Sequence, residues 1–165
     1  MSNVKIIDNV LSKELLKSVF EYVRSNEIHH SYQLWQHDVI RDSNPVLIKH
    51  FKDEIKSKLL DEVKQHFPEY KNDIIGFSWY GWIRGSYIPW HSDGHCEFAA
   101  TIYLNDHWDD DWGGYFAYEE TNEIKCIKPE FNRMVIIKPP IRHTVFNISS
   151  VAPIRETIQI FAGTR

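Results

Sequence analysis

The hydrophobic pattern of the chain changes once, at Ile74, and this change limits the folds that the chain can adopt. From there onward, apolar and polar residues alternate with a period of two, which is the period of a β-strand. The predicted strands are residues 74–83, 86–91, 97–104, 114–119, 123–128, 133–137, 143–148 and 153–161. Thr121-Asn122 is predicted to form a hairpin tip between two of them. Since no helical pattern interrupts these strands, the sequence predicts a β-sandwich or jelly roll.

The residues before Ile74 show helical spacing instead. We predict a short strand at 4–8, a helix at 12–25 and a second helix at 46–66 that begins after Pro45. The second helix has an apolar stripe at every fourth position, formed by Leu47, Phe51, Ile55, Leu59, Val63 and Phe67. We interpret this stripe as core packing rather than as a binding surface.

Two segments have an unusual composition. Residues 26–45 lack a clear period and are rich in His, Tyr and Trp, which predicts a loop or an irregular strand. Our hypothesis is that this segment forms a lid over a substrate cleft, and the alternative is a surface loop anchored by Trp35. Residues 106–113 are acidic and aromatic, which would suit either a solvated loop or a surface that receives a basic or extended peptide.

Length and composition favour a single domain. A chain of 165 residues that is 42% hydrophobic and 25% charged can bury a substantial core. We predict one domain over residues 1–165, with a helical N-terminal part at about 1–70 and a β core at about 74–161. The net charge of −4 argues against a nucleic-acid partner, because such proteins usually carry a basic face. Two cysteines, no signal peptide and no membrane-spanning apolar run favour a cytoplasmic protein without a membrane partner.

His91 and Asp93 form a candidate metal-binding pair. At a spacing of i, i+2 on a strand, both side chains point to the same face. An imidazole and a carboxylate on one face supply two ligands of a 2-His-1-carboxylate triad, which leaves coordination positions open on non-heme Fe(II). The third ligand should be a histidine on a distant strand, and His143 is the best candidate because it directly follows an apolar strand-like run.

Arg155 is a candidate anion-binding residue. On the last predicted strand it shares one face with Thr157, Gln159 and Phe161, while the isoleucines between them point to the other face. An arginine directed into an otherwise apolar pocket indicates a carboxylate, which the guanidinium binds through two parallel hydrogen bonds.

The order of these residues resembles that of a known family. A His-x-Asp motif, a gap of about fifty residues, a His and then an Arg-x-Thr motif are similar to the 2-oxoglutarate- and Fe(II)-dependent dioxygenases. Within that superfamily the chain most resembles the prolyl 4-hydroxylase-like branch. The resemblance runs from about Ile74 to Phe161 and includes Gly85, the run 101–105 and the Gly113-Gly114 pair.

The resemblance implies a fold, a set of cofactors and several residue roles. The fold would be mainly β, a double-stranded β-helix (jelly roll) core whose larger sheet is flanked by helices. His91, Asp93 and His143 would bind Fe(II), with 2-oxoglutarate and O₂ as co-substrates and ascorbate as a reductant. The residues implied to bind 2-oxoglutarate are Arg155, Thr157, Tyr87 and Thr101.

The implied reaction is hydroxylation of a peptidyl residue, and of proline in particular. Candidate substrate contacts are Trp90, Arg142 and Phe161. The chain also departs from the prolyl hydroxylase pattern. Trp82 stands where many members have Tyr, Ile102 where the oxygen-sensing type has Tyr, and Arg155 where the collagen type has Lys. The matching residues therefore define the superfamily more closely than they define the substrate. The sequence indicates no particular oligomeric state.

Three other functions are alternatives. A hydroxylase of a free amino acid or another small molecule would use the same triad. An AlkB-like nucleic-acid demethylase usually has a second Arg shortly after the first, whereas here Gln159 and Phe161 follow on that face. A non-enzymatic cupin-like metal-binding domain fits His91 and Glu97 in part, but Asp93 stands where the second cupin His would be.

Overall fold

A computed structural model of the chain describes residues 3–25, 29–30, 45–67, 74–94 and 96–164. The α-helices in these ranges are α1 (Lys13–Arg24) and α2 (Asp53–Val63), and short 3₁₀ turns lie at Lys64–His66 and Asp110–Trp112. The strands are β1 (Val4–Ile7), β2 (His29–His30), β3 (Val46–His50), β4 (Ile74–Trp82), β5 (Ile88–His91), β6 (Cys96–Tyr103), β7 (Phe116–Glu120), β8 (Glu123–Ile127), β9 (Met134–Ile137), β10 (His143–Val145) and β11 (Arg155–Thr164).

The strands form two antiparallel sheets packed face to face. The larger sheet has the order β1-β9-β6-β11-β4-β3-β2, and the smaller sheet has the order β5-β10-β7-β8. One apolar cluster fills the space between the sheets, and a second lies between the larger sheet and the two helices. This is the mainly β arrangement with flanking helices that the sequence predicts.

Strand β11 lies at the centre of the larger sheet and contributes to both clusters. It pairs with β4 on one side and with β6 on the other. Ile158 and Ile160 are fully buried on the helix side, while Phe161 packs into the cluster between the sheets. The alternation along the sequence therefore sets which residues of β11 face the second sheet.

Helix α1 begins and packs as its sequence predicts. The Ser12 hydroxyl accepts a hydrogen bond from the Leu15 backbone N–H at 3.2 Å, which is the bond expected of an N-cap. The Ser12 hydroxyl and backbone N–H both donate to the carboxylate of Glu62, so this cap also joins α1 to α2. The apolar face of α1 is buried against the larger sheet and α2.

The second helix begins at Asp53, seven residues later than predicted. Residues 46–50 form strand β3, and α2 runs only from Asp53 to Val63. Val46 and Ile48 pack between the sheets, whereas Leu47 lies on the helix side. Leu47 and Phe51 thus reach the same cluster from a strand and a loop, and their spacing of four imitates a helical stripe. The prediction that the stripe is core packing is correct.

The hairpin between β7 and β8 turns at Thr121-Asn122, as predicted. Both residues have positive φ, 52° and 65°, which is the pattern of a type I′ turn. A β-branched residue is strained in this region, whereas Asn tolerates it. We therefore expect Thr121→Asn to stabilise the protein by about 1 kcal/mol, or roughly 2–4 °C in Tm. Thermal unfolding measures this change, and an unchanged or lower Tm would contradict it.

The segment 26–45, predicted as a possible lid, lies outside the described residues except for β2 and Pro45. In the described part of the chain, no helix has both the length and the apolar composition needed to cross a membrane.

Candidate active site

His91, Asp93 and His143 come together in the fold. One potential ligand atom from each lies within 4.8 Å of the others. The Nε2 atoms of His91 and His143 are each 3.5 Å from a carboxylate oxygen of Asp93. His91 ends β5 and His143 begins β10, and the two residues are direct partners in the register of these strands. Asp93 lies just after β5 rather than on it, which differs from the predicted i, i+2 strand pair.

A bulge in β5, a strand of the smaller sheet, turns the side chains at both ends of this strand toward the space between the sheets. His143 pairs with His91, but Val145 pairs with Ile88, so two residues of β5, Pro89 and Trp90, lie opposite the single residue Thr144 of β10. The extra residue lets both Ile88 and His91 face the interior. Both of these side chains line the same cavity together with His143 and Val145.

The two imidazoles are held so that Nε2 faces inward. Nδ1 of His91 lies 2.8 Å from the Pro89 carbonyl, and Nδ1 of His143 lies 3.1 Å from the Ile141 carbonyl. A carbonyl can only accept, so each Nδ1 carries the proton and each Nε2 keeps a lone pair. Phe116 stacks on the ring of His143 with a centroid separation of 5.4 Å. This is the arrangement in which histidines bind a metal.

The charges of the three groups also suit a cation. Burial lowers the pKa of His143 to about 4, so this imidazole is neutral at pH 7. Burial opposes protonation of His91 as well, but the hydrogen bonds that its protonated form makes to Asp93 and to the Pro89 carbonyl outweigh burial and raise the pKa of His91, so a metal ion at Nε2 would replace this proton. Asp93 is only 5% exposed, and a buried carboxylate requires a positive partner. Two neutral imidazole nitrogens and one carboxylate are the ligands that Fe(II) takes in a facial triad.

Arg155 begins β11 and is almost completely buried, with 1% of its surface exposed. Its guanidinium carbon lies 5.5 Å from the centroid of the Trp82 ring and 5.0 Å from that of Tyr103. Its Nε and Nη1 atoms have no hydrogen-bond partner within the described ranges. Burial lowers the pKa of Arg155, and the nearby Tyr103 partly offsets this effect. Such a guanidinium requires an anion to compensate its charge.

Two residues to which the sequence pattern assigns no role lie beside Arg155. The buried hydroxyl of Tyr103 also lacks a partner among the described residues, and it lies beside Arg155. Gly114 has φ +66°, and a Cβ on it would lie 3.0 Å from Cδ of Arg155. Tyr103 thus adds a donor for an anion, and Gly114 leaves the space that the Arg155 side chain occupies.

Thr101 and Thr157, both predicted to contact a co-substrate, bond to other side chains. The Thr101 hydroxyl donates to Oε1 of Gln159 at 2.8 Å, and Thr101 lines the cavity beside the three candidate ligands. Thr157 is fully buried, and its hydroxyl accepts hydrogen bonds from Trp82 at 3.0 Å and Gln159 at 3.2 Å. Thr157 therefore holds other side chains in place in this structure.

The remaining predicted residues lie in different surroundings. Phe161 lines the cavity, but Tyr87 does not. Arg142 is exposed, with its guanidinium 5.7 Å from the Trp90 ring centroid and 2.9 Å from the Glu119 carboxylate. Trp90 and Arg142 adjoin His91 and His143 in sequence, so they lie next to the candidate metal site without lining its cavity.

Comparison with known proteins identifies the family. The family model of the 2OG-Fe(II) oxygenase superfamily matches residues 75–162, which is more than half of the chain. No curated protein sequence gives a significant match. The resemblance predicted from the order of His91, Asp93, His143 and Arg155 is thereby confirmed at the level of the superfamily.

Solved structures of this superfamily share the fold. A prolyl hydroxylase from Trichoplax adhaerens, in complex with a peptide of the hypoxia inducible factor oxygen degradation domain, superposes with a TM-score of 0.74 at 16% identity, covering 96% of this chain and 82% of that one. A prolyl-4-hydroxylase from Pseudomonas putida gives a TM-score of 0.69 at 13% identity, with 99% and 94% covered.

HygX from Streptomyces hygroscopicus, with nickel, 2-oxoglutarate and hygromycin B bound, gives a TM-score of 0.69 at 8% identity, with 96% and 81% covered. These likenesses confirm the double-stranded β-helix fold predicted for the two sheets. Together with the match of the family model, they lead to one conclusion: the chain belongs to the 2OG-Fe(II) oxygenase superfamily, whose members use Fe(II), 2-oxoglutarate and O₂.

Proposed function

We propose that the protein hydroxylates a peptidyl residue, proline in particular, with Fe(II) held by His91, Asp93 and His143. In this proposal Arg155 and Tyr103 bind the distal carboxylate of 2-oxoglutarate. The observation that carries it is the buried Arg155 guanidinium, whose Nε and Nη1 atoms lack partners among the described residues, as does the Tyr103 hydroxyl. A small dicarboxylate that binds the metal at one end and reaches Arg155 and Tyr103 at the other would satisfy all of these atoms at once.

The protein supplies orientation and a dry pocket for the reaction. Bound iron would activate O₂ so that an unreactive C–H bond of the substrate is hydroxylated while 2-oxoglutarate is converted to succinate and CO₂. The carbonyls of Pro89 and Ile141 keep Nε2 of each imidazole directed at the metal. Ile88, Phe116 and Val145 surround the site with apolar groups and so limit the access of water.

A peptide substrate is supported by the likeness to prolyl hydroxylases, one of them bound to a peptide. The Trp90–Arg142–Glu119 group beside the candidate metal site offers an aromatic face and charged groups to an extended chain. Ascorbate as a reductant and a cytoplasmic location belong to the same proposal. Cys96 is buried, Cys126 is exposed, and neither forms a disulfide, which suits a reducing compartment.

The test is succinate release from 2-oxoglutarate with Fe(II), ascorbate and O₂, with and without a pool of proline-containing peptides. We expect the peptides to raise succinate release well above the background, with a mass increase of one oxygen on a proline residue. Background turnover without stimulation would show that peptidyl proline is not the substrate. No turnover at all from iron-loaded protein would overturn the hydroxylase assignment.

A small-molecule substrate is the second candidate. HygX shares the fold and was solved with hygromycin B bound. The chain also departs from the prolyl hydroxylase pattern at Trp82, whose indole N–H is donated to Thr157 at 3.0 Å. Stimulation of succinate release by free amino acids, but not by peptides, would establish this alternative.

Gly114→Ala should weaken the binding of 2-oxoglutarate. The new Cβ would lie 3.0 Å from Cδ of Arg155 and 3.2 Å from Ile148, so the guanidinium would have to move. We expect KM for 2-oxoglutarate to rise about tenfold, the effect of losing one good hydrogen bond to a charged group. Gly163→Ala is the matched control, since Gly163 also has positive φ, +70°, but contacts Glu97 instead. An equal rise in KM in both variants would point to general backbone strain.

A further inference from the structure

We propose that Gln159 is a further co-substrate-binding residue, whose amide donates a hydrogen bond to the keto-acid end of 2-oxoglutarate. This inference rests on the proposed function, because it requires 2-oxoglutarate to bind between the three candidate ligands and Arg155. No role is assigned to Gln159 by the match to the superfamily.

The polar groups of the cavity are few. Apart from Trp82 and the three candidate ligands, the polar side chains that line it are Thr101 and Gln159, and the others are apolar. The indole N–H of Trp82 is donated to Thr157. A keto acid in this cavity presents carboxylate and carbonyl oxygens, which need donors in an otherwise apolar wall.

The hydrogen bonds of the two polar residues leave one donor available. Thr101 has a single O–H, which it donates to Oε1 of Gln159 at 2.8 Å. Nε2 of Gln159 donates one N–H to the Thr157 hydroxyl at 3.2 Å. Since a primary amide has two N–H groups, one N–H of Gln159 remains for a ligand in the cavity.

The same network fixes the orientation of the amide. The Thr157 hydroxyl accepts from both Trp82 and Gln159, and it donates to the Tyr80 carbonyl at 3.5 Å. Thr101 holds the other end of the amide. An oriented donor costs little reorganisation when a ligand binds, which favours tight binding.

The position of Gln159 on β11 assigns it to the metal end of the co-substrate. Gln159 and Arg155 share one face of the strand and are four residues apart, or about 13 Å along an extended chain. Gln159 lines the cavity together with His91, Asp93 and His143, whereas Arg155 does not line it and contacts Trp82, which does. Gln159 would therefore meet the keto acid, and Arg155 the distal carboxylate. Thr101 becomes a positioning residue that acts through Gln159.

The test compares two keto acids bound to the 165-residue protein loaded with Mn(II), by calorimetry in the absence of O₂. Pyruvate has the same keto-acid end as 2-oxoglutarate but lacks the distal carboxylate. We expect Gln159→Met to weaken both ligands by the same factor, about tenfold or more. Arg155→Met should weaken 2-oxoglutarate strongly and leave pyruvate nearly unchanged.

The matched control is Gln65→Met, which makes the same change at an exposed glutamine whose amide donates to the Glu62 carbonyl. It should leave both affinities unchanged. Thr101→Val should reproduce part of the loss seen in Gln159→Met, and Thr101→Ser should restore the wild-type affinity. An unchanged Tm and Mn(II) affinity in Gln159→Met would show that the fold and the metal site are intact.

Two results would overturn the inference while the proposed function stands. One is an unchanged affinity of Gln159→Met for both keto acids, and the other is a loss confined to 2-oxoglutarate, which would place Gln159 at the distal carboxylate. If the wild-type protein bound Mn(II) but neither keto acid, the proposed function and this inference would both fail.

Discussion

Replacing Arg155 with methionine is expected to stabilise the ligand-free protein while removing most of its affinity for 2-oxoglutarate. Arg155 is 1% exposed, and two of its three guanidinium nitrogens lack a partner in the described part of the chain. A buried charge without a partner costs several kcal/mol, and a methionine of similar length removes that cost. The gain should be about 1–2 kcal/mol, with roughly 2–4 °C in Tm for each kcal/mol.

The same substitution should weaken the binding of 2-oxoglutarate although it stabilises the ligand-free protein. The reason is that the ligand would supply the partner that the Arg155 guanidinium lacks. Arginine binds a carboxylate through two charge-assisted hydrogen bonds, each contributing about 1.5–3 kcal/mol. We expect the dissociation constant for 2-oxoglutarate to rise at least about 100-fold. Thermal unfolding with and without 2-oxoglutarate measures both effects, since a ligand that binds only the folded state raises Tm.

Arg133→Met is the control for a paired arginine. Arg133 contacts Asp8 at 2.6 Å and Glu130 at 3.0 Å, and it does not line the cavity of the candidate ligands. Its loss should lower Tm and leave the affinity for 2-oxoglutarate unchanged. If Arg155→Met also lowered Tm, or bound 2-oxoglutarate normally, Arg155 would be a structural residue rather than an anion site.

The order of residues along the chain predicts most of the candidate site but not its contacts. His91 and Asp93 are two positions apart, but longer gaps separate this pair from His143 and Arg155, and only the strand periodicity indicates that the four share one interior. The register of β5 with β10 brings the two histidines together. The bulge at this pair and the position of Asp93 after the strand end depend on tertiary packing, which no local pattern encodes.

Tyr103 shows why some functional candidates were missed. In the sequence it is one aromatic residue in an apolar strand, and its pattern is that of a core residue. Only the structure reveals that its buried hydroxyl lacks a partner among the described residues and lies beside Arg155. A similar limit applies to β3, where Leu47 and Phe51 match helical spacing although they belong to a strand and a loop. Spacing alone cannot separate these cases when a segment is short.

Asp93→Asn is expected to abolish metal binding and turnover without unfolding the protein. Asparagine has the same shape, so the packing around the 5% exposed side chain should persist. It lacks the negative charge that binds a divalent cation between the two Nε2 atoms, each 3.5 Å from an Asp93 oxygen. Succinate release should fall at least about 1000-fold, since about 4 kcal/mol of lost stabilisation gives that factor.

Metal binding gives a readout that does not depend on activity. At a Mn(II) concentration of about 100 times the dissociation constant, the wild-type protein should gain about 2.7 kcal/mol of stability, seen as a rise in Tm. Asp93→Asn should show no rise, whereas Glu97→Gln, at an exposed carboxylate four residues on, should behave like the wild type. An equal Mn(II)-dependent rise in all three proteins would place the metal elsewhere. Loss of the rise in Asp93→Asn alone would assign the ion to the pocket that His91, Asp93 and His143 form, because no other change was made to its surroundings.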